Sequence, residues 1–342
     1  MCYLTFFNIF LISVFFMVTK QILLLAENIV NRGNVLGLDR RTLQVYIGEA
    51  LINDDEPDIL VNLDPYILFG GFIETFIECL AKGELESDEK SVASTYLRFA
   101  EDSKKFESAI LSNTKRYIDE INTLGYALRK LGYKVRFLVS ERTSGVELYF
   151  LGRTEFLRDH VDRKINEWLG EGVNRILFTS PFEYALYKYR FFSQSEAQMP
   201  QLEFYPEFVG AQEFSLKFSE SLKAIFLEPY EAPLAIFPRD LYGRVLALIG
   251  EIEETLRSIE NISIKSLRVS DPPFSYEQIW LVSPLTAVSI ASNILRSIDG
   301  FDAIISLRTS TALLLRVVSR LHGINIKIYD YVEVLSNAIK GA

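Results

Sequence analysis

The sequence predicts an α/β fold: two similar Rossmann-like halves with largely parallel sheets, facing each other across a cleft. Three observations predict it. Short β-rich runs alternate with longer runs at helical period along most of the chain. Gly132, Gly172, Gly300 and Gly323 each stand between a helical run and the next strand, where a C-cap glycine belongs. Local patterns also recur. Leu63-Asp64-Pro65-Tyr66 is echoed by Leu227-Glu228-Pro229-Tyr230, and Ile176-Leu177-Phe178-Thr179-Ser180 by Ile304-Ile305-Ser306-Leu307.

In chain order the strands are expected at 58–63, 133–139, 174–179, 222–227, 262–269, 302–307 and 324–329, with a further Tyr-containing strand end at 202–205. Helical periods fall at 66–81, 92–131, 154–170, 183–192, 238–259, 284–298, 309–322 and 331–340. The charged stretch 84–107 reads as a solvated connection into the long helix. Four segments result: an apolar leader (1–19), a helical segment (20–55), a first α/β half (56–218) and a second (219–342). In open α/β sheets ligands collect at the C-terminal ends of the strands, and the repeated acidic-Pro-Tyr and Thr/Ser turns all sit there.

Composition narrows the function classes. With 342 residues, 49% hydrophobic and 24% charged, the chain is a folded globular protein large enough for two domains. The 25 Phe and 17 Tyr belong in cores or at subunit contacts. A formal charge of -9 argues against a general nucleic-acid binder. Two cysteines make no disulfide framework, so a reducing cytoplasm is the simplest compartment. The leader MCYLTFFNIFLISVFF lacks the positive n-region and the cleavage site of a secretory signal, and falls short of the ~20 apolar residues of a membrane span. Either translation starts at Met17, which opens an ordinary soluble helix, or residues 1–19 are a real anchor or buried helix that tethers the protein to a membrane.

From about residue 30 onward, Asp64-Pro65, Thr143-Ser144-Gly145, Ser180-Pro181-Phe182-Glu183, Glu228-Pro229-Tyr230 and Leu307-Arg308-Thr309-Ser310 follow in an order and spacing that resemble those of the two-domain cysteine-rich (CCG-domain) iron–sulfur oxidoreductases. These include the heterodisulfide reductase catalytic subunit and the iron–sulfur subunits of lactate and glycerol-3-phosphate oxidation. Arg32-Gly33-Asn34-Val35-Leu36-Gly37-Leu38 is similar to the family's linker. Asp64-Pro65 stands where the family has Gly-Cys, Thr143-Ser144-Gly145 where it has Cys-Cys-Gly, and Ser180-Pro181-Phe182-Glu183 where it has Cys-Pro-x-Cys. In the second half Glu228-Pro229-Tyr230 resembles Asp-Pro-Cys, and Tyr242-Gly243-Arg244-Val245-Leu246 a Tyr/Arg feature. The second Cys-Cys-Gly would fall at 270–275, and Leu307-Arg308-Thr309-Ser310 resembles the last Cys-Pro-x-Cys.

The departures decide what the resemblance implies. The family's clusters need thiolates, and hydroxyl or carboxylate oxygens are hard ligands that do not replace them. Cys79 lies within a helix with no second cysteine near and reads as a small buried side chain, while Cys2 lies in the leader. His160, flanked by Asp159 and Asp162 on a helix, makes a poor metal site, and His322 reads as a cap on the last turn before Gly323. No phosphate-binding glycine loop occurs. Glu183, Glu228, Asp64 and Arg308 are expected to cluster at strand ends around the vacated pocket. There they form an ion-pair network or a site for a polar ligand or a partner's charged tail.

The resemblance therefore implies a cluster-free, non-catalytic structural or regulatory subunit with no cofactor of its own. Its partners would be the iron–sulfur or flavin subunits of a heterodisulfide reductase-like complex, the sulfur-oxidising type among them. The alternative is an enzyme or small-molecule-binding protein that reuses the vacated cleft.

Overall fold

The chain builds the same four-stranded sheet twice. In the computed structural model the described residues are 22–34, 37, 47, 50–85, 95, 98–99, 102–137, 142–150, 153–172, 174–189, 199–211, 215–229, 239–269 and 283–341. The first sheet contains β1 (Ile59–Asn62), β2 (Val135–Phe137), β3 (Arg175–Phe178) and β4 (Gln201–Phe204), ordered β2-β1-β3-β4. The second contains β5 (Lys217–Pro229), β6 (Glu260–Val269), β7 (Ala303–Ser306) and β8 (Lys327–Asp330), ordered β6-β5-β7-β8. All six strand pairings are parallel. Strand β5 is longer and largely exposed in its first half, whereas β1 and β7 are short, apolar and buried along their length, as Ile59-Leu60-Val61 and Ala303-Ile304-Ile305 show. That is the pattern of parallel strands covered on both faces.

The helices, in order, are α1 (22–32), α2 (Pro65–Ala81), α3 (Glu107–Lys130), α4 (Val146–Phe150), α5 (Thr154–Gly170), α6 (Pro181–Lys188), α7 (Tyr205–Gly210), α8 (Arg239–Arg257), α9 (Pro284–Ser297), α10 (Thr309–His322) and α11 (Tyr331–Gly341). A 3-10 turn, Ser103–Phe106, leads into α3. Several helix starts are written in the sequence. Asp64 caps α2 by accepting from the Tyr66 N–H, Ser180 caps α6, and proline opens α2, α6, α7 and α9. Proline suits that position because its missing N–H has no intrahelical partner there. Helix α6 thus begins at Pro181, two residues before the helical period suggests.

The recurring patterns fall at equivalent places. Asp64-Pro65 follows β1 and Glu228-Pro229 ends β5; Thr179-Ser180 follows β3 and Leu307-Arg308 follows β7. The halves then pair helix against helix. Helix α2, after the first strand of one half, packs on α10, after the third strand of the other. Helix α8 packs on α6 in the same way with the halves exchanged. Helices α3 and α11 add a further inter-half contact. This exchange of equivalent helices is what an approximate two-fold axis between the halves requires.

The leader 1–19, Tyr230 and the 270–275 segment lie outside the described residues, as do the side chains of Pro65 and Glu228. No helix among the described residues is long and apolar enough to cross a membrane.

Candidate functional site

The C-terminal ends of β1, β3 and β8 meet where the halves join. Asn62 ends β1 and donates from Nδ2 to Glu183 Oε2 at 2.6 Å; both residues are buried. The Asp64 N–H donates to Thr179 Oγ1 at 3.2 Å. Across the junction the Tyr331 hydroxyl donates to the Thr179 carbonyl, and Tyr205 Oη and Ser336 Oγ share a bond of 3.0 Å. Thr309 Oγ1 donates to Asp330 Oδ2 at 2.7 Å, while Asp330 Oδ1 accepts from the Val332 N–H and starts α11. The Arg308 guanidinium lies 3.7 Å from the ring centroid of Phe182, a cation–π contact between halves.

Little space remains among these groups. The pocket lined by Asp64, Glu120, Thr179, Thr309, Asp330 and Glu333 holds about 10 Å³, room for roughly one water. A second inter-half gap, bounded by Tyr66, Ile73, Ser310 and Leu314, has no space for a water. Ligand sites for small molecules ordinarily enclose about 300–1,000 Å³.

The remaining expected site residues are placed as follows. Thr143-Ser144-Gly145 starts α4 and stands apart from the pocket. The Thr143 carbonyl accepts from His160 Nε2 at 2.7 Å, and the Ser144 carbonyl accepts from the Tyr187 hydroxyl, one turn past Glu183 on α6. Gly145 has φ 87, and a Cβ there would stand 2.8 Å from the His160 ring, so both backbone and space call for glycine. Ser180 and Pro181 are the cap and first residue of α6. Arg244 is exposed on α8, 3.9 Å from the Tyr189 ring centroid. Ser310 is buried in the first turn of α10.

The two histidines serve structure. Burial pushes His160 down to about 4, so the ring is neutral and donates to Thr143. His322 does not cap its own helix: its Nε2 meets Ser292 Oγ of α9 at 2.9 Å, and Gly323, at φ 63, closes α10 instead. Helix α9 lies alongside α10 and supplies that hydroxyl.

These positions supply oxygens and guanidinium groups, and the residues present do not fit an iron–sulfur cluster, which thiolates hold. Cys79 is 5% exposed in α2, and burial, followed by Glu84, pushes its thiol up to about 11. Native protein at pH 8 is expected to leave Cys79 unlabelled by iodoacetamide, with labelling on unfolding, when peptides are read by mass spectrometry. Prompt native labelling would contradict this burial.

The most heavily charged feature of the site has no signature in the motifs. Arg316 of α10 is 3% exposed and lies between Glu120 of α3 (3.0 Å) and Glu333 of α11 (2.9 Å), with its Nε donating to the Ile328 carbonyl at 3.1 Å. Arg116 joins them, 2.8 Å from Glu120 and 3.6 Å from Glu333. One turn along α10, Arg320 bonds Glu74 at 2.7 Å and Glu78 at 2.6 Å, and the Tyr117 hydroxyl donates to Glu74 at 2.5 Å. The result is an ion network that draws its members from both halves and joins them through Arg116–Glu333, Arg316–Glu120 and Arg320 with Glu74 and Glu78. Its sequence signal is a lone arginine in Ala312-Leu313-Leu314-Leu315-Arg316-Val317-Val318, an apolar helix that only a buried partner permits to carry charge.

Neither a protein-family model nor a curated protein matches the chain. Among solved structures, the chain is similar to an aspartate racemase homologue from Pyrococcus horikoshii OT3, at 7% identity and a TM-score of 0.34, over 84% of this chain and 98% of that one. A likeness of that size carries no argument about activity.

Proposed function

We propose that the protein is a cluster-free, non-catalytic structural subunit of a cytoplasmic heterodisulfide reductase-like complex, docking on iron–sulfur or flavin subunits. One observation carries the non-catalytic part. Two residues standing where the resembled family has cluster ligands are engaged in structural bonds, Ser180 capping α6 and Glu183 holding Asn62; next to such positions Asp64 caps α2 and Arg308 covers Phe182. The nearby pocket that Asp64 lines with Thr179, Thr309 and Asp330 admits about one water. The class of partner follows from the sequence resemblance.

The test is anaerobic affinity purification of the tagged full-length protein from its own cells, with iron, sulfide and flavin measured on the bait alone and on the eluted complex. An iron-free bait eluting with an iron–sulfur or flavin subunit supports the proposal. Iron on the bait, or elution without such a subunit, contradicts it. A small-molecule site is the second reading, favoured by the buried Asp330, whose carboxyl burial pushes up to about 6, within the range of a general acid–base group.

A further inference from the structure

The inter-half seam holds more acid than base. Asp330, Glu120, Glu333, Glu74 and Glu78 lie on it, with Asp64 at its edge; Arg316, Arg116 and Arg320 oppose them. Asp330 is fully enclosed. It is faced by Thr309 and Arg316 from α10, Glu120 from α3, Asp64 from the start of α2, and Glu333 and the Tyr331 phenol from α11, with Arg116 of α3 behind Glu120 and Glu333. Tyr329, its neighbour on β8, carries a phenol whose ionisation burial opposes. The guanidiniums of Arg316 and Arg116 are committed to Glu120, Glu333 and the Ile328 carbonyl, while Asp330 itself is held by a hydroxyl and a backbone N–H.

We propose that this seam is a proton-operated latch: protons on Asp330 and Glu333 hold the two halves together in mildly acid solution, and their loss as pH rises loosens the contact of α10 and α11 with α2 and α3. The latch concerns the isolated chain and holds whatever partner the protein has. Burial pushes Asp330 up from 3.8 to about 6, and burial followed by Glu120 pushes Glu333 up. Groups raised in the closed state stabilise it fully below their ordinary values, and that stabilisation is lost as pH rises through the raised ones. For Asp330 the window runs from about 4 to about 6. His160 acts in the opposite direction. Its lowered value favours the fold above 6.5 and costs stability as pH falls towards 4, so a global unfolding curve mixes the two signs.

The test therefore reads the seam locally. Amide hydrogen exchange of α11 in the full chain is followed between about pH 4 and pH 7.5, corrected for intrinsic rates, with β1 and β3 as internal reference. The opening constant of α11 is expected to rise at least tenfold over that range relative to the reference. Asp330→Asn keeps the helix cap and the Thr309 contact, and Glu333→Gln keeps the shape; each is expected to flatten the profile, and the pair to abolish it. A wild-type profile that is already flat overturns the latch, whether or not the variants fold. So does a rising profile unchanged in either folded variant.

Discussion

Replacing Arg316 with methionine is expected to destabilise the protein by about 3–5 kcal/mol, read as a fall in the denaturant midpoint. The guanidinium is 3% exposed and neutralises two carboxylates from two different helices, so its removal strands buried negative charge between the halves. The size of the loss comes from that stranded charge more than from the bonds themselves. Replacing Glu120 and Glu333 with leucine alongside Arg316→Met is therefore expected to restore most of the stability, because a well-packed apolar cluster costs no desolvation. A single-variant loss below about 1 kcal/mol, the size of an exposed ion pair, would show that the network is solvated.

Gly71→Ala is the second large effect, an expected net destabilisation of about 2 kcal/mol or more. Helices α2 and α3 touch here backbone to backbone. A Cβ on Gly71 would stand 2.0 Å from Thr114 Oγ1, 2.8 Å from its nitrogen and 2.9 Å from the Ile110 carbonyl. Backbone atoms do not swing aside as a side-chain tip does, so the helices must separate. The gain of about 1 kcal/mol from removing a mid-helix glycine falls short of that cost. Next to it, Gly70 leaves room for the Tyr117 ring, 2.4 Å from where its Cβ would be. Thus two adjacent glycines set the approach that lets Tyr117 reach Glu74, and through Glu74 the Arg320 pair. Midpoint shifts for Gly71→Ala and Gly70→Ala measure this directly; a stabilised Gly71→Ala would contradict the close approach.

Much of the fold is legible in the sequence because its elements obey local rules. Ile59-Leu60-Val61 and Ile304-Ile305 are short apolar runs that suit only covered parallel strands, and Asp64-Pro65 and Ser180-Pro181 each combine a cap with the first helical residue. The same local logic makes the echo between the halves visible. It also gives the Asp-Pro and Ser-Pro positions a structural role as the punctuation of helix starts.

The candidate site is only partly legible, since its energetics depend on pairings across the two halves. Asn62 with Glu183, and Thr179 with Asp64 and Tyr331, join residues far apart in the chain that no local period relates. Arg316 is visible as an anomaly in an apolar helix, but Glu120 sits among other polar residues of α3 and carries no mark of its burial. Thr143-Ser144-Gly145 illustrates the opposite case. The motif stands out in the sequence, yet its side of the fold meets Tyr187 and His160 and not the strand-end pocket.

Iron and acid-labile sulfide, measured on the full-length chain after anaerobic incubation with ferrous iron and sulfide and removal of the excess, test the central claim most directly. The account predicts that no iron stays bound, because Asp64, Ser180, Glu183 and Arg308 are committed to structural contacts and Cys79 is buried. Stoichiometric iron and sulfide retained on the chain would contradict it.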